Sequence, residues 1–179
     1  MKQTITLPIP VPEGASASYE NGTFTIKAKN TVTRRLYRPE VDVSVKDGVI
    51  ELVAVNATQR EKRQMNTMRS HIRNMFKGAL EGHTYKLKIC SGHFPMNVSV
   101  SNNKLEVKNF LGEAVPRRVK VKQEVDVKID GDEIIVTSPY KELAGAQASD
   151  IEQLTRVTNK DRRIFQDGLF LIEKDGEAL

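Results

Sequence analysis

Cys90 and His93 form the one closely spaced cysteine–histidine pair of this chain, and they are the first candidates for catalysis or metal binding. Two ligands are too few for a structural zinc ion, and His71 and His83 have no further cysteines beside them. A nucleophilic thiol would also need an orienting third group and a pocket, and the sequence indicates neither. Because Cys90 ends a stretch that alternates like a strand, we interpret it as an ordinary half-buried thiol.

Other signatures of enzymes are missing from the sequence. There is no GxGxxG, no GxSxG and no glycine-rich phosphate loop. The triplet at 130–132, Asp-Gly-Asp, lacks the further spaced carboxylates and the distal glutamate of a calcium loop, and it fits a tight hairpin turn better. We therefore predict a protein that is not an enzyme and that binds no cofactor, metal or small-molecule substrate.

Clusters of basic residues are stronger candidates for function. On a surface helix, mixed lysine and arginine are usually only solvated, so that interpretation stays open for the first cluster. The clusters are Arg60, Lys62, Arg63, Arg69, Arg73 and Lys77 on a predicted helix; Arg34, Arg35 and Arg38 with Tyr37; Arg117, Arg118, Lys120 and Lys122; and Arg156, Lys160, Arg162 and Arg163.

The cluster from Arg156 to Arg163 is the best candidate for a binding site. It lies in or near a loop, where guanidinium forks and short polar side chains can meet phosphates and ribose hydroxyls. The alternative, that these cations only favour the C-terminal end of a helix, stays open. Because no helix-turn-helix, zinc-finger or ribonucleoprotein aromatic pattern is present, we favour recognition of folded RNA by its shape and backbone.

The overall charge agrees with a polyanionic partner without locating it. The net charge is +5, and residues 1–90 carry 15 basic and 8 acidic residues, whereas residues 91–179 carry 13 and 15. An uneven but merely solvated surface is the alternative interpretation. The apolar runs are too short for a membrane span, the first residues do not resemble a signal peptide, and a single cysteine fits a reducing compartment. These features predict a cytoplasmic protein that does not bind membranes.

The elements that position these residues are repeated along the chain with a period of a little over 80 residues. The corresponding stretches are 23–27 and 104–108, 41–48 and 125–131, 49–52 and 133–136, and the strands 85–89 and 169–172 that follow a helical stretch in each half. Such a period is too long for a solenoid and indicates the tandem duplication of one unit. Alternating apolar residues predict antiparallel strands in each copy.

One helix is predicted in each copy. The first runs from Gln59 to Ala79, with its apolar face formed by Met65, Met68, Ile72, Met75 and Phe76. The second runs from Pro139 to Val157, with Ser138 as its N-cap. The predicted fold is therefore α+β, a tandem duplication of a small antiparallel β-sheet unit with one packed α-helix. We place the domains at 1–90 and 91–179, and the acidic tail at 173–179 is a candidate for disorder.

Five stretches carry a recognisable pattern in a fixed order. They are GHFPMNVSV at 92–100, VKNFLGE at 107–113, GDEIIVT at 131–137, IEQLTR at 151–156 and NKDRRIFQDG at 159–168. Together they resemble the ribosomal protein L6 family of the large subunit, in its archaeal and eukaryotic form. The likeness covers nearly the whole chain, tightly in 91–179 and more loosely in 1–90.

This resemblance implies two tandem domains, each with two small sheets and one helix. It implies a non-catalytic role in translation, at the base of the factor-binding stalk near the sarcin–ricin loop of large-subunit rRNA. The partners would be that rRNA, neighbouring ribosomal proteins and, nearby, translation elongation factors. In the family the second domain makes the principal rRNA contacts, and the first lies further out.

Carried over by position, the resemblance makes the 156–163 loop the best candidate for rRNA contact. Lys141 and the 93–95 loop with His93 are secondary candidates, beside the basic pair Arg117 and Arg118. Where relatives often have glycine before the second helix, this chain has Ser-Pro-Tyr at 138–140, so contacts from that turn are not carried over. The alternative function is a free two-domain module that binds a protein through its sheet edges or its basic helix.

Overall fold

The computed structural model describes residues 3–46, 48–92 and 94–179, and the chain divides into two compact units between Gly82 and His83. In the first unit the described strands form two antiparallel three-stranded sheets, ordered β1-β6-β5 and β2-β3-β4. The elements are β1 (Gln3–Pro10), β2 (Ser16–Glu20), β3 (Thr23–Lys27), β4 (Thr31–Arg35), β5 (Asp42–Lys46), β6 (Val49–Ala57) and α1 (Gln59–Leu80).

The first unit buries one face of each sheet against α1. Along β3, Phe24 and Ile26 are fully buried while their neighbours are more exposed, which is the alternation expected of a half-buried strand. The predicted apolar face of α1 is confirmed, because all five of its residues from Met65 to Phe76 are buried. Neither helix in the described ranges is both long and apolar enough to cross a membrane.

A capping box starts α1. The hydroxyl of Thr58 accepts a hydrogen bond from the backbone N–H of Arg60 at 3.2 Å, and Glu61 Oε2 accepts one from the Thr58 backbone N–H at 2.7 Å. The Thr58 hydroxyl and backbone hold the pKa of Glu61 below its ordinary value. The one acidic residue of the first turn is therefore engaged at the helix end.

In the second unit the described strands form a five-stranded sheet, ordered β11-β12-β7-β13-β14, and a three-stranded sheet, ordered β10-β9-β8. The elements are β7 (His83–Cys90), β8 (Asn97–Ser101), β9 (Lys104–Lys108), a 3₁₀ turn (Phe110–Gly112), β10 (Arg117–Lys120), β11 (Asp126–Asp130), β12 (Glu133–Ser138), α2 (Lys141–Leu154), β13 (Gly168–Lys174) and β14 (Glu177–Ala178). Leu87, Leu105, Ile134 and Ile151 bring both sheets and α2 into one core. The predicted α+β fold of repeated β units is confirmed.

Strand β7 places the division of the chain at Gly82/His83 and not at the predicted 90/91. It pairs with β12 on one side and β13 on the other, so that Leu87 lies opposite both Ile134 and Leu171. In the first unit β1 pairs with β6 in the same way. β7 is therefore the counterpart of β1, and the predicted equivalence of 85–89 with 169–172 is wrong, because alternation shows that a stretch is a strand but not which strand it pairs with.

Two further expectations are corrected at the ends of elements. Ser138 closes β12 and is not the N-cap of α2; its hydroxyl donates to the Glu124 carbonyl at 2.7 Å and accepts from the Tyr140 N–H at 3.1 Å. Helix α2 begins at Lys141, so Pro139 lies before it. The acidic tail is ordered, since β14 pairs with β13 and the Leu179 N–H donates to the Ile172 carbonyl.

Substituting Gly22 tests the packing of the β2–β3 turn. Its φ is +78°, and an added Cβ would lie 2.9 Å from Tyr37 Cβ. We expect Gly22→Ala to lower the free energy of unfolding of the first unit by about 2 kcal/mol, from left-handed backbone strain plus the contact. Gly48 is the matched control, because its φ is +74° but an added Cβ would have no atom of the described residues within 4 Å apart from its chain neighbours, so Gly48→Ala should cost only about 1 kcal/mol. Urea denaturation of both variants measures the difference, and equal losses would refute the contact.

Candidate nucleic-acid interface

An open cleft in the second unit gathers predicted basic residues at the end of α2. Its volume is about 1310 Å³, and Arg156, Arg162 and Arg163 line it. The loop between α2 and β13 forms one wall, and the ends of β7 and β13 form the other. Lys160 lies beside it, with Nζ 4.7 Å from the ring centroid of Phe165, a lining residue. Three of the four cations of the 156–163 cluster thus line one concave surface, and the fourth contacts a residue of its lining.

Backbone hydrogen bonds to side chains hold the cleft walls. The buried Thr155 hydroxyl accepts from the Leu169 N–H at 2.9 Å, and Glu152 Oε1 accepts from the Leu171 N–H at 3.2 Å. These side chains of the α2 end therefore satisfy donors on the edge of β13 that β7 does not reach. The basic loop leaves a helix end that is tied to the sheet.

The carboxylates of the cleft are mostly engaged with the backbone. Asp167 is buried and accepts a hydrogen bond from the Gly92 N–H, and Glu152 accepts from β13. Among the described lining residues Asp132 is the third carboxylate. Four cations face them, since Lys88 of β7 also lines the cleft. The cleft therefore favours an anion.

The cations of the loop differ in their exposure and in whether they form ion pairs within the chain. Arg156 and Arg162 are exposed, and in the described part of the chain neither forms an ion pair. Arg163 makes a fork with Asp161, with Nη2 2.7 Å from Oδ2 and Nε 3.1 Å from Oδ1. This fork lowers the pKa of Asp161 and raises that of Arg163, whose side chain is nevertheless 89% exposed. Arg156 and Arg162 are the best placed for a phosphate.

Arg117 has a structural role that sequence reasoning missed. Its Nε and Nη2 bind the two carboxylate oxygens of Glu113 at 2.8 and 2.6 Å, its Nη1 donates to the Leu154 carbonyl at 2.8 Å, and its guanidinium lies 4.3 Å from the Phe110 ring centroid. The same Nη1 reaches the Arg156 carbonyl at 3.4 Å. Arg117 therefore braces the C-terminal end of α2, where the basic loop begins. All three of its guanidinium nitrogens already donate hydrogen bonds within the unit.

Lys141 and Arg118 are not brought to the cleft. Lys141 begins α2, about 20 Å along the helix from its C-terminal end, and its Nζ lies 3.3 Å from Asp175 Oδ2. Arg118 on β10 pairs across the sheet with Glu106, with Nε 2.9 Å from Oε1, and it lowers the pKa of that carboxyl. As RNA contacts, both stay predictions that stand apart from the cleft.

Ser91 and Gly92, which precede the predicted 93–95 loop in the chain, line the cleft. His93, a predicted contact, lies outside the described residues. Phe94 is 39% exposed, and the Pro95 carbonyl accepts a hydrogen bond from Asn109 Nδ2 at 3.0 Å. Cys90 is a half-buried free thiol on the cleft wall, and no cluster of metal-ligating side chains occurs in the described ranges.

Sequence reasoning also missed Lys88. It lies opposite Phe170 in the β7–β13 pairing, and both line the cleft. The sequence signal was the row of outward lysines in 83–90, but that strand was assigned to the first domain. Only its pairing with β13 brings Lys88 beside the 156–163 loop.

Comparison with known proteins gives one consistent result. The model of the family described as "Ribosomal protein L6" matches residues 11–82 and 94–168. "Large ribosomal subunit protein uL6" of Nanoarchaeum equitans is 46% identical over 180 residues, covering 96% of this chain and 94% of that protein. The proteins of the same name from Halobacterium salinarum and Methanosarcina mazei are 40% and 38% identical, covering 95% and 97% of this chain and 96% and 99% of their own lengths.

Proposed function

This chain belongs to the ribosomal protein L6 family, a structural and non-enzymatic family of the large ribosomal subunit, and we propose that its second unit binds large-subunit rRNA through the cleft at the end of α2. Arg156, Arg162 and Arg163, with Lys160 and Lys88 beside them, would neutralise backbone phosphates. The observation that carries this proposal is the concave surface on which three loop arginines and Lys88 meet three carboxylates, two of which accept hydrogen bonds from the backbone.

The chemistry of the cleft fits a folded RNA better than a protein partner. Guanidinium forks bind phosphate oxygens with two donors, and Arg156 and Arg162 have theirs available. Gln153 and Gln166 add amide groups to the wall, which can bind ribose hydroxyls. The braced helix end presents these donors on a rigid base, which reduces the entropy lost on binding.

The location within the subunit is a finer proposal that rests on family resemblance. We place the second unit at the base of the factor-binding stalk, against rRNA near the sarcin–ricin loop. Neighbouring ribosomal proteins would contact the remaining surfaces, and elongation factors would act nearby. The role is to brace rRNA helices so that the factor site keeps its shape.

Crosslinking in intact particles tests the proposal. A photoreactive amino acid at position 162 should crosslink to large-subunit rRNA, at nucleotides in or next to the sarcin–ricin loop and stalk base. The control carries the same group at Lys128, which is 73% exposed on β11 of the same unit but does not line the cleft. Crosslinks from position 162 to protein alone would contradict the proposal.

Sedimentation separates this function from the alternative, a free module that binds a protein. The chain should travel with large subunits through a sucrose gradient and stay bound at moderate salt. Recovery only at the top of the gradient would favour the module.

A further inference from the structure

The first unit has a basic cleft of its own, between the end of β4 and the first half of α1. Its volume is about 290 Å³, and its polar lining comes from Arg34, Arg35, Arg38, Arg63 and Gln64, with Thr67 and His71 further along the helix. Arg35 lies opposite Thr23 and Arg34 opposite Phe24 in the β3–β4 pairing, so the sheet sets the position of both arginines. The cleft is therefore built from two rigid elements and the segment after β4.

The charge in this cleft has one sign. Among its described lining residues there are four arginines and no carboxylate. Two acids close in sequence are engaged elsewhere, Glu61 in the capping box and Glu40 with Arg60 at 3.7 Å. Arg35, Arg38 and Arg63 are exposed to solvent. The four arginines that line the cleft create a positive potential that attracts a phosphate, and the Nη1 of Arg38 also donates to the Tyr37 carbonyl at 3.1 Å.

Stability of the free chain does not explain this arrangement. Like charges around one small concavity repel each other. An anionic ligand removes this cost.

One buried atom indicates more than a bare phosphate. Gln64 Oε1 is buried and has no hydrogen-bond partner in the described part of the chain, and Gln64 lines the cleft. An acceptor needs a donor, which a phosphodiester does not carry. The ribose 2′-hydroxyl of RNA is such a donor, next to the phosphate on the same backbone.

We propose that this cleft is a second RNA-backbone site, in which Arg35, Arg38 and Arg63 bind a phosphate and Gln64 accepts a hydrogen bond from the adjacent 2′-hydroxyl. The volume of about 290 Å³ suits one phosphodiester with its ribose. This site goes beyond the second-unit site and does not depend on it. Both units of the chain would then bind RNA.

The test uses the full chain in two backgrounds, one with the wild-type second unit and one with alanine at Arg156, Lys160, Arg162 and Arg163. In each, Arg35, Arg38 and Arg63 are changed to glutamine. The control changes Lys27, Lys29 and Lys46, three exposed cations of the same unit that do not line the cleft, to glutamine. Binding to in vitro transcribed large-subunit rRNA is measured across a salt series, and circular dichroism checks that each variant is folded.

The cleft variant should flatten the slope of log affinity against log salt by about 0.7–0.9 in both backgrounds, which is the value for one phosphate contact. The control should leave the slope nearly unchanged. An unchanged slope in the cleft variant, or an equal fall in the control, would overturn the inference. Because the effect is read in both backgrounds, its failure is distinguishable from failure of the second-unit site.

Gln64→Leu tests the ribose contact. It should weaken binding to a short RNA duplex severalfold with no change in salt slope, and it should not affect the 2′-deoxy duplex. Equal effects on both duplexes would overturn the hydroxyl contact. Inorganic phosphate added in excess should compete weakly; if it abolished the contribution of the three arginines at low concentration, the cleft would be a site for free phosphate.

Discussion

Alanine at Arg156, Lys160, Arg162 and Arg163 is expected to lower the affinity of the full chain for large-subunit rRNA by roughly a hundredfold at moderate salt. Each cation that neutralises a phosphate releases condensed counterions, so each loss should flatten the slope of log affinity against log salt by about 0.7–0.9. The contribution of Arg163 should be the smallest, because Asp161 shares its guanidinium. Fluorescence anisotropy over a salt series measures both quantities.

The matched control removes equal charge from the same unit. Lys104, Lys108, Lys120 and Lys128 are exposed and do not line the cleft, and their alanine variant should change the slope little. A quadruple loop variant with the wild-type slope would remove the 156–163 loop from the RNA interface. A control variant with the same loss would show general attraction and no site.

Arg117→Ala is expected to lower the free energy of unfolding of the second unit by about 3 kcal/mol. It removes the carboxylate fork to Glu113, the bond to the Leu154 carbonyl and the stacking on Phe110. Hydrogen bonds to a charged group contribute about 1.5–3 kcal/mol and a cation–π contact about 0.5–1 kcal/mol, before the discount for partial exposure. Urea denaturation monitored by circular dichroism measures the loss.

Arg118→Ala is the control on the neighbouring residue. The Arg118 side chain is 62% exposed, and its pair with Glu106 is solvated, so the variant should unfold nearly like the wild type. Equal destabilisation by the two variants would contradict the bracing role of Arg117. A second readout separates bracing from RNA contact: Arg117→Ala should weaken rRNA binding without changing the salt slope.

Lowering the pH should reduce the difference in free energy of unfolding between the wild type and Arg117→Ala. The hydrogen bond from Arg117 holds the pKa of Glu113 below its ordinary value of 4.5. A lowered pKa in the folded state contributes stability above the unfolded pKa, and that contribution is lost as the pH falls through the folded pKa. The difference in free energy of unfolding between the wild type and Arg117→Ala should therefore be smaller at strongly acidic pH than at pH 7.

The net charge of each unit depends on where the chain divides, which the local sequence did not predict correctly. Division at 90/91 makes the first half strongly basic and the second slightly acidic, but β7 carries Lys86 and Lys88 into the second unit. Residues up to Gly82 then hold 13 basic and 8 acidic residues, and those from His83 hold 15 of each. The second unit is neutral overall, so its binding surface comes from the arrangement of its charges and not from their number.

The sequence by itself determined the elements and their repetition. Alternation in β3 and β9, the methionine face of α1 and the basic run at 156–163 are local patterns, and local sterics and burial act on them directly. The family pattern was also readable, because it is carried by short contiguous motifs. These features need no knowledge of which strands or side chains meet.

Only the tertiary structure decided which strands pair and which acceptors surround each arginine. A strand exposes the same alternation to either neighbour, so only the ladder shows that β7 joins β12 and β13. An arginine is equally charged wherever it lies, but the acceptors around it decide its role: Arg117 is saturated by Glu113 and the α2 end, whereas Arg162 remains exposed. Both outcomes depend on residues distant in the chain, and the same is true of the basic cleft of the first unit.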